Sequence, residues 1–168
     1  PSFMLMMCQN VRISLKEYVE NNYLRKEIDK NYENLKITVS ELDANIRLAV
    51  ENAPYKTIVT SNSAYKFLEK YGVKVYLVND DTSSKDLSEI DTLIKQGKIT
   101  KIFNYEEDKT TANVQNIINK YPNTISFVSF KHMNLLTEEA RKNKSDYVTL
   151  MNQNLDTLKE ELYHGTSN

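Results

Sequence analysis

Tryptophan is absent and cysteine occurs once, at Cys8, so no disulfide can form within the chain and cysteine usage leaves the redox compartment open. Three glycines cannot supply a phosphate-cradling glycine-rich loop, and there is no Gly-x-Ser-x-Gly nucleophile turn. No apolar run approaches the ~18 residues that a membrane-spanning helix needs. Charge of one sign is missing too. With 22 basic and 23 acidic side chains and a net charge of -1, the chain has no electrostatic footprint for nucleic acid or for an acidic membrane. Histidine is scarce, with His132 and His164 far apart. A pairing of Ser61 or Ser63 with His132 finds no carboxylate placed to orient the ring, which argues against a hydrolase.

What is present reads as one globular core. The 168 residues are 40% hydrophobic, enough for a single domain. The opening Pro1 to Cys8 is apolar and is expected to be a strand or a buried end. Its other reading, the tail of a secretion signal with Cys8 as a lipid carrier, lacks the basic start of such signals. An apolar start without an initiator methionine leads us to expect a chain cut from something longer. Val11, Leu15, Tyr18 and Val19 recur at helical spacing and predict a first helix ending near Asn21 and Asn22. From Tyr23 to about Asn52, apolar positions step by three and four through Ile28, Tyr32, Leu35, Val39, Leu42 and Ile46, with no Pro before Pro54. Such a helix is roughly 45 Å long at 1.5 Å per residue, more than a small domain's diameter. A short coiled coil or a helix spanning two lobes would each explain it.

Beyond Pro54 the pattern alternates. Thr57 to Thr60 is a β-branched run of the kind that forms a buried parallel strand. Ser61, Asn62 and Ser63 then make a polar turn, with Ser61 or Ser63 as a helix cap, before apolar positions that run to Gly72. Val73 to Val78, Ile99 to Tyr105 and Thr124 to Phe130 read as three further strands. Helices are predicted over Asp86 to Gln96, from Thr110 or Thr111 to Lys120, and over Ser145 to Tyr163. Strands joined by helices imply right-handed crossovers, and hence an α/β three-layer sandwich with a four-stranded parallel sheet, preceded by the long helix. Ligands of such sheets collect at the carboxyl ends of strands, which places Asn62 where a site is expected. There too Glu106, Glu107 and Asp108 either supply a carboxylate or form a solvated loop.

Four stretches carry a family resemblance: Glu41 to Ile46 in the long helix, Val59 to Tyr65, Tyr71 to Val73, and the closing Asp146 to Asp156. In this order and spacing the chain resembles the carboxyl-terminal half of the metal-binding solute-receptor lipoproteins that serve zinc or manganese ABC transporters, some of them described as adhesins. The resemblance implies two α/β lobes tied by one long helix, with the ion held between them by His and carboxylate side chains. It implies three regions here: residues 1–54 as an amino-terminal segment with the interlobe helix, 55–163 as the carboxyl-terminal lobe, and 164–168 as a disordered tail. The amino-terminal lobe with the family's first His ligand is expected to lie outside the chain.

Carried over residue by residue, the resemblance puts Ser2, Asn62 and His132 at the family's metal positions, with Tyr105 and Glu106 on the cleft wall. Only His132 is a strong ligand. Neutral Ser and Asn oxygens are poor partners for zinc, which takes imidazole and anionic donors. Left to ordinary chemistry, Asn62 is a cap or turn residue and His132 a surface or interface histidine. The function implied is that of a solute-binding protein for zinc or manganese, with an ABC permease and the ion as partners. It would stand at the outer face of the cell membrane or in the periplasm, attached only through a lipid anchor beyond this chain. The alternatives are an adhesion or protein-interaction module that keeps the fold and binds no ion, and a small α/β enzyme with an unrecognised site.

Overall fold

The computed structural model describes residues 1–105, 109–132 and 137–165, which fall into two compact units, Pro1–Arg47 and Leu48–Asn168. The first unit is an antiparallel helical hairpin of α1 (Ser2–Tyr18) and the beginning of α2 (Asn22–Glu51). The first eight residues, expected as a strand or a buried end, are helical, because α1 starts directly behind Pro1. No run of alternation stands against the 3.6-residue period there: Met4, Cys8, Val11 and Leu15 share one stripe of the helix and line an apolar groove with Ile28, Tyr32 and others from α2. Asn21 opens α2, its side-chain oxygen accepting from the N–H groups of Tyr23 at 2.9 Å and Leu24 at 3.2 Å.

Charge joins the two helices on the hairpin's flank. Arg12 Nε donates to Asp29 Oδ1 at 2.7 Å and Lys16 Nζ to Asp29 Oδ2 at 2.6 Å, while the Arg12 guanidinium lies over the Tyr32 ring at 4.9 Å. These hydrogen bonds, from Lys16 and then Arg12, hold the Asp29 carboxyl below its ordinary value. Along α2 the apolar positions pass from half-exposed Leu35 to fully buried Val39, Leu42 and Ile46.

The second unit holds the four-stranded parallel sheet, in the order β2-β1-β3-β4, with β1 Thr57–Thr60, β2 Lys74–Leu77, β3 Lys101–Tyr105 and β4 Ser126–Phe130. Every pairing is parallel, so each strand returns through a helical crossover. Between β1 and β2 the crossover is a 3-10 helix, Ser63–Tyr71. It ends at Gly72, whose φ of 94° closes the last turn in the left-handed region. Then come α3 (Ser84–Lys95), capped by the Ser83 hydroxyl, α4 (Ala112–Lys120), capped by Thr111, a short α5 (Glu138–Lys142) that the periodicity did not announce, and α6 (Tyr147–Leu162), capped by Asp146.

Strand parity sorts the core into two layers. Val59 and Ile102 point to the face covered by Ile90 and Ile94 of α3 and Val114 of α4. On the opposite face Phe103 stacks on Phe130 at 4.5 Å, and Phe130 on Tyr65 of the 3-10 helix at 4.2 Å. The buried stripe of α6 there comprises Leu150, Met151, Leu155, Leu158 and Leu162. Glu161, fully buried on that stripe, ties α6 to the sheet by accepting from the Thr100 N–H at 2.8 Å and from the Thr100 hydroxyl. At the carboxyl end of α6, His164 stacks on Tyr55 at 4.1 Å and places Nε2 2.8 Å from the Gly97 carbonyl oxygen. The other part of the expected tail, residues 166–168, lies outside the described residues.

Candidate functional site

Register alone brings three of the expected site residues to one end of the sheet. Thr60 pairs with Phe103 and Tyr105 with Phe130, so Asn62, two residues past Thr60, comes level with Tyr105 and Phe130. His132 follows two residues further on. Because β1, β3 and β4 are adjacent and parallel, their carboxyl ends form one rim.

The rim is built on an aromatic relay. Tyr65, 2% exposed, stacks on Phe130 and tilts against Tyr105 at 5.1 Å, and Tyr105 in turn lies flat on the His132 imidazole, centroids 4.7 Å apart and planes at 18°. Stacked rings at these distances gain contact energy beyond their burial and leave the imidazole little freedom to rotate. Burial first, and the neighbouring Tyr105 second, push the Tyr65 phenol far above its ordinary value, so it stays neutral.

Asn62 is the cap of the 3-10 helix: its side-chain oxygen accepts from the Ala64 N–H at 2.9 Å. Its own N–H donates to Thr60 Oγ1 at 3.1 Å, and the Thr60 hydroxyl, fully buried, donates back to the Asn62 carbonyl at 3.2 Å. The side-chain oxygen that could ligate an ion is thus already an acceptor in the turn. Beside it the Ser61 hydroxyl donates to Asn104 Oδ1 of β3 at 2.5 Å, which joins the ends of β1 and β3. Asn62 rather than Ser61 or Ser63 does the capping, since its side chain reaches the N–H two residues on without displacing the Ser61 contact.

His132 also lines a small cleft of about 100 Å³ with Lys131, Glu139, Asn143, Ser145 and Gln153. Among its described lining residues are one imidazole and one carboxylate beside neutral and cationic groups. Among the described residues no group of three or more His, Cys, Asp or Glu is placed to hold a metal ion. This donor set is short of the three protein ligands that zinc normally takes. Ser2 stands at the start of α1, in the first unit, while Asn62, Tyr105 and His132 belong to the second. Glu106, expected on the cleft wall, lies outside the described residues.

One residue at this rim was not singled out from the sequence. Asn154, 2% exposed, accepts from the Lys131 N–H at 2.7 Å, donates to the Lys131 carbonyl at 2.9 Å, and donates to the Tyr65 hydroxyl. Its signal was available: an amide at a position of α6 where the helical stripe otherwise places Leu and Met demands a buried partner.

A family model described as zinc-uptake complex component A, periplasmic, matches residues 1–161. Solved structures share the fold. The Zn(II)-bound ZnuA-like domain of Streptococcus pneumoniae AdcA superposes with a TM-score of 0.66 at 23% identity, covering 92% of this chain and 58% of that one. The periplasmic zinc-binding protein TroA of Treponema pallidum gives 0.67 at 20% identity, covering 93% and 59%. The laminin-binding protein Lmb of Streptococcus agalactiae, described as bifunctional with adhesin and metal-transporting activity, gives 0.64 at 16% identity, covering 91% and 58%. The chain therefore spans less than two thirds of the length of these structures. None of the curated proteins matches it by sequence.

Proposed function

Since the chain belongs to the zinc-uptake complex component A family, we propose that it acts in metal-ion uptake as the carboxyl-terminal lobe of a solute-binding protein serving a zinc or manganese ABC transporter. The observation that carries this reading is His132: an imidazole at the carboxyl rim of a parallel sheet, two residues beyond Phe130 and stacked on Tyr105. In such a protein residues 1–54 contribute the helix between lobes and 55–163 the lobe itself. The lobe offers His132 as its principal ligand to the ion, and Asn62 and Ser2 offer neutral oxygens. Tyr105, stacked on His132, stands on the cleft wall. Closing two lobes on the ion makes the form that a permease recognises. The protein would work outside the cytoplasmic membrane, and no described helix is long and apolar enough to cross it. The role is one of binding rather than catalysis.

A second reading has its own support. With neutral side chains at two of three family positions, and no three-ligand group among the described residues, the fold can serve as an adhesion or protein-interaction module without an ion. Calorimetric titration of zinc and manganese into the chain and into His132→Ala decides between them. Binding that weakens at least tenfold in the variant, about 1.4 kcal/mol, supports the receptor. No heat with either ion on the wild-type chain sinks it and leaves the interaction module.

A further inference from the structure

We infer that Asn154 is the positioning residue for His132, holding both the backbone that carries the imidazole and the aromatic wall on which the ring lies. Its use in ion binding rests on the function proposed above, but the geometry does not. One buried carboxamide engages the N–H and the carbonyl of the same residue, Lys131, at 2.7 and 2.9 Å. That carbonyl belongs to the peptide bond leading into His132, so the plane from which the histidine departs is fixed from one side. The amide's remaining donor meets the Tyr65 hydroxyl, and Tyr65 abuts Tyr105, whose ring covers the imidazole. Asn154 therefore meets His132 by two routes, one through Lys131 and one through the rings.

Packing alone does not account for an amide here. Position 154 lies among Leu150, Met151, Leu155 and Leu158 on the buried stripe of α6, where leucine would bury more apolar surface and desolvate no polar group. A fully satisfied buried polar group earns its place by specifying one geometry. What it specifies is the exit of β4, where the chain leaves the sheet toward the cleft.

Proton NMR of the metal-free chain tests this without any ion. The two histidines give separable imidazole signals, assigned with His132→Ala, and stacking on Tyr105 displaces the His132 ring protons upfield. His164, stacked on Tyr55, is the internal control. In Asn154→Leu, which keeps size and burial, the His132 ring protons should lose most of that displacement while those of His164 stay in place. Tyr65→Phe, which removes only the hydroxyl, should move them part of the way in the same direction. It carries the test should Asn154→Leu fail to fold. His132 signals unmoved in the folded variants overturn the inference. If they move as stated and the wild-type chain takes up no zinc or manganese, Asn154 still positions His132 and the transport reading is what fails.

Discussion

Tyr65 brings a hydroxyl into the core, where it meets the Asn154 amide, and this has an alkaline signature. Its phenol is raised well above the usual 10.0 by burial, so the folded state holds a proton that the unfolded chain gives up. The contribution is whole below the unfolded value and is lost as pH rises above it toward the folded value. Denaturation midpoints should therefore fall more steeply above pH 10 in the wild type than in Tyr65→Phe, which has no phenol at this position to titrate. Equal slopes would mean that the ring is not sequestered. Glu161 is a second buried group with a definite partner. Truncation by Glu161→Ala leaves the Thr100 N–H without its acceptor and should cost about 1–3 kcal/mol in urea denaturation, where a loss under about 0.5 kcal/mol would deny the tie between α6 and β3. Legibility at this scale was uneven. Asn62 was readable as either a cap or a ligand, because both uses rely on the same carbonyl oxygen, and only the placed Ala64 N–H shows the cap. His132 was reached through the family resemblance, and nothing local announced that Tyr105 would lie on its ring.

Elements depend on signals a few residues long, and these were read with more success. Ser83, Thr111 and Asp146 cap α3, α4 and α6 where polar residues precede apolar periodicity. Gly72 stops the 3-10 helix at a φ of 94°, with open space where a Cβ would stand, so Gly72→Ala should cost about 1–2 kcal/mol of conformational strain with no steric clash. A thermal midpoint unchanged in this variant would count against the left-handed cap. In the hairpin, Asp29 accepts from Arg12 and Lys16 together, and its lowered value makes its stabilisation full above the unfolded 3.8 and lost as pH falls through the folded value. Amide exchange in α1 should accordingly accelerate below pH 3.8, and Asp29→Asn should remove that extra acceleration. The miss at this scale is instructive. Pro1 to Cys8 offers mostly apolar side chains on every face, so its periodicity was too weak to separate strand from helix, and the partner stripe on α2 lies too far along the chain to be weighed with it.

For the molecule as a whole, the order β2-β1-β3-β4 puts β1 and β3 in the middle, and Ile58, Val59, Ile102 and Phe103 there are fully buried. Their amides should be the slowest to exchange, while β4, an edge strand with Ser126, Phe127 and Ser129 exposed, should exchange faster. Equal protection across all four strands would contradict this order. Composition and spacing sufficed for the fold class, since short β-branched strands alternating with amphipathic helices have one favourable arrangement, the parallel sheet covered on both faces. They sufficed also for the long α2, because a stripe without Gly or Pro cannot help but continue. What only the tertiary structure decided was the company each rim residue keeps. Whether Asn154 meets a backbone or a void, and whether His132 meets an aromatic face or other ligands, follows from strand order and register. Those are contacts between segments distant in the chain, and no run of neighbouring residues encodes them.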